Sequence, residues 1–363
     1  MWQGDGASGK ATSRGVCGPA HGYRFGRMEA HVTRAGAGDD GVPGEGAATG
    51  RVTRLDRGWS TVLLDSGSTV RVRNIGMEVA VGDRVRVDAA VERVEHVFDR
   101  SSALIRRNSF EGARGLRQVV AANIDTVFLL HAVTAPPNER RLERELVLAF
   151  DSGARPVIVL TKLDAVDAGY SAEVRAALAQ VSLDVPIMTV SSRTGEGIDG
   201  VRALCGEGQT VAFIGASGVG KSTLVNALVG AEVQRTGEVR DDDQRGRHTT
   251  VAAELVPLPD GGWLLDTPGL RAVTLWTSGH GIERAFRDVF DLADGCRFRD
   301  CKHLDEPGCA VNAAIDDGRL DRVRLDSMRR LVAEELALEE EQREREKAFD
   351  RRGARRSPGH RGG

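Results

Sequence analysis

The sequence predicts an α/β protein with a doubly wound, largely parallel sheet in the middle of the chain. A small β-barrel precedes the sheet and a helical unit follows it. Three observations carry this. Apolar runs of strand length alternate with amphipathic segments between residues 126 and 266. Before them, five short alternating strands crowd into about 50 residues. After them, three cysteines and a histidine fall within 14 residues, ahead of a charged helical stretch.

Composition narrows the classes further. The chain has 363 residues, 40% hydrophobic and 28% charged, which is globular rather than disordered overall. Lys+Arg total 50 and Asp+Glu 53, a net charge of −3. That balance excludes a generally basic nucleic-acid-coating protein but not a local basic face. No apolar run approaches the ~20 residues that span a bilayer. The five cysteines are Cys17, Cys205, Cys296, Cys301 and Cys309, an odd and clustered set that argues for a reducing compartment. The first 27 residues hold Lys10, Arg14, Arg24 and Arg27 but no apolar core, so no signal peptide is expected, and the location is expected to be cytoplasmic. Of 44 glycines, 13 lie in the first 50 residues. Residues 1–47 read as a disordered Gly-rich extension. Met28 offers an alternative start, which intact-mass detection of residues 2–27 in the native protein would refute.

Residues 48–104 read as the barrel. The expected strands are 50–56, 59–65, 68–73, 82–88 and 91–97, with alternation as in Val70-Arg71-Val72-Arg73 and turns at Asp65-Ser66-Gly67 and Gly82-Asp83. An OB-fold and an SH3-like barrel both suit this pattern. Residues 48–117 carry 13 arginines against nine carboxylates, a local +4. The excess suits an RNA-facing barrel or equally a solvated polar face. Residues 104–118, with Arg106, Arg107, Arg114 and Arg117, read as an Arg-rich linker.

Residues 105–280 read as the α/β domain. Buried strands are expected at 126–133, 155–161, 185–190, 210–215 and 263–266, with helices at 142–151, 171–181, 198–205 and 221–229. Gly215-Ala216-Ser217-Gly218-Val219-Gly220-Lys221-Ser222-Thr223 matches G-x-x-x-x-G-K-[ST] between an apolar strand and a helix, the context that a phosphate loop requires. Its glycines let backbone N–H groups face phosphate oxygens, and the helix start adds a favourable dipole. Lys221 would reach the β- and γ-phosphates, and Ser222 would ligate Mg²⁺. Asp266-Thr267-Pro268-Gly269 ends the next apolar strand as a D-x-x-G, with Asp266 acting through the metal and the Gly269 N–H sensing the γ-phosphate.

Thr161-Lys162-Leu163-Asp164 matches [NT]-K-x-D, the guanine-reading motif. A carboxylate at Asp164 can accept both N1–H and N2–H₂ of guanine, a pair that adenine does not offer. The Lys162 stem can lie along the base, and Thr161 replaces the commoner Asn. Ser191-Ser192-Arg193 resembles the S-A-K loop, whose backbone N–H meets guanine O6. The order is unusual, because the guanine motifs at 161 and 191 precede the phosphate loop at 215 and the D-x-x-G at 266. This is a circular permutation, which close-lying termini tolerate. It also leads the segment after D-x-x-G, which moves on hydrolysis in GTPases, straight into the C-terminal unit.

Between the phosphate loop and D-x-x-G lies Arg245-Gly246-Arg247-His248-Thr249-Thr250. Thr249 or Thr250 would ligate Mg²⁺ when GTP is bound. Leu270 stands where Ras-type enzymes carry a water-positioning Gln. Leucine cannot orient water, so slow intrinsic turnover is expected, with the water ordered by a partner or by His248. A structural or RNA-facing His248 is the competing reading.

Cys296-x4-Cys301-x-His303-x5-Cys309 offers the Cys₃His set of a closed tetrahedral zinc site, structural rather than catalytic. Pro307-Gly308 supplies a turn before the last ligand. Residues 281–345 read as this zinc-binding domain. Cys17 and Cys205 read as incidental. A charged helix is expected over 326–350, supported by Glu339/Arg343 and Glu341/Arg345 pairs, with a basic tail over 346–363.

From about residue 48 to 340 these features resemble the ribosome small subunit-dependent GTPase A (RsgA/YjeQ-like) family. The resemblance rests on the barrel, the permuted T-K-L-D, G-A-S-G-V-G-K-S-T, G-R-H-T-T and D-T-P-G order, and the C-x4-C-x-H-x5-C site. It implies a late-acting factor of 30S subunit maturation, an rRNA-binding OB domain and GTPase activity stimulated by the small subunit. One zinc, Mg²⁺ with GTP, and a monomer that alternates between GTP and GDP without a membrane partner are expected. The readings weighed against it are a P-loop ATPase or kinase, a GTP-dependent RNA-binding switch with no ribosomal role, and an RNA-binding module with a vestigial nucleotide site. Asp164 argues against the first, and intact Lys221, Ser222 and Asp266 against the last.

Overall fold

The computed structural model describes residues 47–56, 58–88, 90, 92–107, 117–230, 253–266 and 280–354. The N-terminal extension up to residue 46, His248, Thr249, Thr250, Gly269, Leu270 and the tail from residue 355 lie outside them.

Five strands open the chain: β1 (Ala47–Asp56), β2 (Trp59–Leu64), β3 (Thr69–Arg73), β4 (Arg84–Asp88) and β5 (Arg93–Val97). Side chains alternate inward along β1 to β4 and across a bulge in β5, so Val52, Val62, Leu64, Val72, Val85, Val87, Val94 and Val97 fill one small core. β1 pairs with both β2 and β4, β2 with β3, and β5 with β3 and β4, which closes the barrel in the order 1-2-3-5-4-1. Strands 4-1-2-3 form a Greek key, and a five-stranded Greek-key barrel is the OB-fold. The strand pattern left OB and SH3-like barrels open, and the pairing decides for OB.

The two ends of the expected Arg-rich linker are instead strands of a second small sheet, while residues 108–116 lie outside the described residues. β6 (Ala103–Arg107) and β7 (Arg117–Ala122) pair antiparallel from Ala103↔Ala122 to Arg107↔Arg117. Ala103, Leu104, Val119, Ala121 and Ala122 are buried. The arginines dominate the composition of this segment and hide its apolar residues.

The larger sheet follows with β8 (Thr126–Ala132), α1 (Glu139–Ser152), β9 (Arg155–Thr161), α2 (Ala168–Ser182), β10 (Ile187–Thr189), α3 (Ile198–Ala203), β11 (Thr210–Gly215), α4 (Lys221–Val229), β12 (Glu254–Pro257) and β13 (Trp263–Asp266). Its order is β10-β9-β8-β11-β13-β12. All are parallel except β12, an antiparallel strand that was not expected and that joins this sheet to β1 of the barrel. The continuous apolar runs have a simple cause, since both faces are covered. Phe128, Leu130, Val157, Val159, Val211 and Phe213 face α3 and α4. Their neighbours Val127, Leu129, Ile158, Leu160, Ala212 and Ile214 face α1 and α2.

The chain ends in α5 (His280–Ala285), α6 (Arg287–Ala293), α7 (Ala310–Asp316) and α8 (Arg322–Ala354). α8 runs four residues past the expected end, into the segment read as tail. Ile282, Phe286, Val289, Val311, Leu325 and Val332 join the core on the α1 side of the sheet, so the C-terminal helices share a hydrophobic core with it.

Two sets of contacts hold these parts together. At the barrel, Arg54 of β1 pairs with Glu254 of β12, and the Arg51 guanidinium donates to Asn123 O (3.2 Å) and Thr210 Oγ1 (2.5 Å). At the C-terminal helices, Gly281 N donates to Asp151 Oδ1 at 2.7 Å. A Cβ on Gly281 would lie 2.3 Å from Val147 O, so only glycine allows α5 this close to α1. Beside it, buried Arg324 donates to Glu143 Oε1 (2.7 Å), both oxygens of Asp288 (3.0 and 3.1 Å) and Ala285 O (2.6 Å), and Ser327 donates to the other Glu143 oxygen.

Candidate functional site

In a parallel α/β sheet, ligands bind beyond the carboxyl ends of the strands, where successive connections diverge. Here β8 connects onward to β9 on one side, and β11 connects toward β13 on the other. Among the described residues, the nucleotide motifs lie at such carboxyl ends: 215–221 after β11, 161–164 after β9, 191–193 after β10, and Asp266 at the end of β13. The permuted order does not disturb this convergence, because placement depends on which strand a loop follows and not on when the chain reaches it.

The phosphate-loop segment turns sharply from β11 into α4. Gly220 caps the helix at φ 98°, a conformation that side chains with a Cβ rarely adopt. Ser217, Gly218 and Thr223 are exposed, Ala216, Gly220, Lys221 and Ser222 are half-buried, and Gly215 and Val219 are buried. Lys221 opens α4, so its residue and those beside it sit at the positive end of the helix dipole. A cavity of about 320 Å³ adjoins this loop, lined among others by Ser217, Gly218, Lys162, Asn138 and Arg141.

Thr161 is only 2% exposed. Its hydroxyl donates to Val219 O at 2.5 Å and lies 3.3 Å from His131 O, so it bridges the end of β9 to the phosphate loop and to β8. The carbonyl it reaches belongs to a strand end that is itself braced, because His131 Nε2 lies 2.9 Å from Glu145 Oε2 on α1. Threonine therefore supplies one donor where the commoner Asn offers an amide. Lys162 follows in the left-handed region (φ 62°), and Leu163 begins a single 3₁₀ turn, with its N–H on Val190 O at 3.1 Å.

Asp164 meets the 191–193 loop. Ser191, fully buried, donates its hydroxyl to Asp164 Oδ1 at 2.6 Å. Arg193 Nε lies 2.8 Å from Oδ2. The Ser191 hydrogen bond first, then further hydrogen bonds and the Arg193 charge, hold the Asp164 carboxyl below its ordinary range, so it stays ionised as an acceptor. The Ser191 N–H is committed to Glu196 O at 2.9 Å, so a backbone donor from this loop would come from Ser192 or Arg193.

The C-terminal cluster is compact. Cys296, Cys301, His303 and Cys309 present four ligand atoms within 4.8 Å of one another. A tetrahedral zinc has edges of about 3.8 Å between sulfurs and about 3.6 Å between sulfur and nitrogen. The Cys296–Cys309 sulfurs are 3.9 Å apart, and the two sulfurs lie 3.6 and 3.5 Å from His303 Nδ1. The donors therefore fit a tetrahedral metal. Burial first, then the Arg329 charge, lower the His303 pKa, which favours the neutral ring that a metal needs. Cys309 also caps α7, accepting from Asn312 N at 3.4 Å. Cys205 is buried with its thiol on Val201 O at 3.3 Å, away from this cluster.

Among residues not singled out from the sequence, His131 and Glu145 brace the site, and their pairing over 14 positions carries no local signature. Among the described residues, no helix is long and apolar enough to cross a membrane.

Comparison with known proteins agrees with this geometry. The family model described as RsgA GTPase matches residues 97–276. The small ribosomal subunit biogenesis GTPase RsgA of Streptomyces avermitilis is 42% identical over 299 residues, covering 80% of each chain. That of Methanosarcina acetivorans is 40% identical over 276 residues, covering 75% of this chain and 74% of the relative. Among solved structures, YjeQ from Thermotoga maritima superposes with a TM-score of 0.59 at 27% identity, covering 80% of this chain and 99% of that one.

Proposed function

Because the chain belongs to the RsgA GTPase family, we propose that it is a GTP-hydrolysing factor acting late in maturation of the 30S ribosomal subunit, binding rRNA and stimulated by the small subunit. The observation that carries the nucleotide reading is the placement of the described residues of four permuted motifs at the carboxyl ends of strands in one sheet.

The proposed roles follow from chemistry. Gly215 to Thr223 cradle the phosphates, with Lys221 on the β- and γ-phosphates. Ser222 and Asp266 would hold Mg²⁺, which would neutralise charge developing on the phosphoryl oxygens. Asp164 reads guanine, held in place by Ser191, while the Lys162 stem lies along the base and Leu163 completes the turn. Ser192 supplies the backbone donor for guanine O6. Thr161 acts by position, joining the base-reading loop to the phosphate loop. Gly269 and one of Thr249 and Thr250 sense the γ-phosphate and its metal. His248 orients water in place of the missing Gln; unchanged basal and stimulated rates in His248→Ala would refute that role. Zinc on Cys296, Cys301, His303 and Cys309 fixes the loops between α6 and α7.

For RNA, the barrel offers Trp59 on β2, with the Arg71 and Arg73 guanidinium groups 5.1 and 4.9 Å from its ring. The strand 2–3 face is where OB-folds take oligonucleotides, and an aromatic ring flanked by cations suits an unpaired base. GTP turnover with and without purified 30S subunits tests the proposal. Acceleration by 30S is expected. No acceleration, with RNA binding intact, would favour a GTP-dependent RNA-binding switch outside the ribosome.

A further inference from the structure

We propose that Arg193 is an internal competitor for the base-reading carboxylate, and so sets nucleotide affinity. The proposal rests on the reading of Asp164 as the partner of guanine. Asp164 keeps only 16% of its side chain exposed. Ser191 covers Oδ1 from inside the protein and is itself fully buried. Arg193 reaches the other oxygen, Oδ2, with 78% of its own side chain exposed to solvent. Guanine also arrives from solvent and needs both oxygens for N1–H and N2–H₂. The remaining opening on Asp164 is therefore claimed by the guanidinium and the base alike. Ser191 does not conflict, because each carboxylate oxygen accepts more than one hydrogen bond.

The consequence is a closed-site tax. A protein whose binding-competent state is only partly populated binds with an apparent affinity reduced by that fraction. The base edge is common to GDP and GTP, so both are taxed equally, and the effect falls on Kd and KM rather than on kcat. An exposed ion pair is weak, and breaking it changes affinity by about two- to fivefold.

The test is calorimetric titration of GDP and a non-hydrolysable GTP analogue into wild type, Arg193→Ala and Arg193→Lys, at low and high salt. Arg193→Ala is expected to bind both nucleotides about two- to fivefold more tightly at low salt. The gain should vanish near 1 M salt, where the Debye length is about 3 Å. Arg193→Lys, which keeps the charge, should stay near wild type. Equal or weaker binding by Arg193→Ala, or a gain that ignores salt, overturns the proposal. Asp164→Asn, titrated with GDP and XDP, separates the two layers. If it switches preference to XDP while Arg193→Ala does not tighten binding, Arg193 alone is wrongly assigned. If it still prefers GDP, the guanine reading fails and the Arg193 proposal falls with it.

Discussion

Replacing Arg324 by Met is expected to loosen the C-terminal helices from the α/β domain more than any conservative change of its partners. Arg324 and Glu143 are 6% and 3% exposed, and the guanidinium also serves Asp288 and the Ala285 carbonyl. It lies 4.2 Å from the Phe286 ring as well. Met fills the volume but strands a buried carboxylate, a loss of about 3–5 kcal/mol. Glu143→Gln is milder. Its amide still accepts from Arg324 and still pairs with Ser327, while Asp288 keeps balancing the guanidinium, so about 1.5–3 kcal/mol is expected for the lost charge assistance. The two changes share one interaction, so the double variant should cost less than their sum. The barrel has a core of its own, so a single melting temperature does not isolate this seam. Hydrogen exchange in α5, α6 and the first turns of α8 does. Equal effects of the two single variants, or losses under ~1 kcal/mol for Arg324→Met, would refute the argument.

Other outcomes follow from the same contacts. Metal chelation should remove exchange protection from residues 290–310 first, leaving β8, β9 and β11 protected; simultaneous loss across the sheet would contradict a local structural role. Trp59→Ala should weaken binding to single-stranded RNA by about 1–3 kcal/mol while leaving GDP affinity intact, and Trp59→Phe should recover part of it. Filter binding checks both, and an unchanged Trp59→Ala affinity sinks the stacking platform. Asp164 has a depressed pKa, led by the Ser191 hydrogen bond, so its ionised form persists below the ordinary carboxylate range and is lost only as pH falls through the depressed value. GDP affinity should therefore hold through the ordinary range, and in Ser191→Ala the drop should move to higher pH; coincident profiles would show that Ser191 does not hold the carboxylate.

Much of the architecture was legible because its cause is local. The runs at 126–132, 155–161 and 210–215 are apolar through their middles because two helical layers cover them, and motifs at strand ends follow from that placement. What escaped is non-local or masked by composition. β12 has four residues ending in a proline and pairs through its neighbours rather than through a pattern of its own. β6 and β7 lay under arginines. The barrel's strand order depends on β1 meeting β4, a pairing that alternation cannot report. At the site, the Thr161 bridge to Val219 spans 58 positions, and the Glu143–Arg324 pair 181. Such partners exist only once the chain has closed.

The permutation sends the segment after Asp266 directly into α5, which invites the expectation that the C-terminal helices swing with nucleotide state. The seam argues for a narrower motion. α5 is pinned to α1 by the Gly281–Asp151 hydrogen bond, and α8 by the Arg324–Glu143 pair. Both anchors lie on a helix whose residues also brace the site through Glu145 and His131. Opening the seam would re-expose Ile282, Phe286, Val289 and Leu325, at about 1.5–3 kcal/mol for each fully buried side chain, which together exceeds the roughly 1–3 kcal/mol that coupling between sites typically supplies. The helices are therefore expected to stay docked on α1 while the nucleotide state is expressed elsewhere. The Gly281 amide reports on this, and its exchange protection should be the same with GDP as with a non-hydrolysable GTP analogue. A large loss of protection in either state would mean that the seam itself is the moving part.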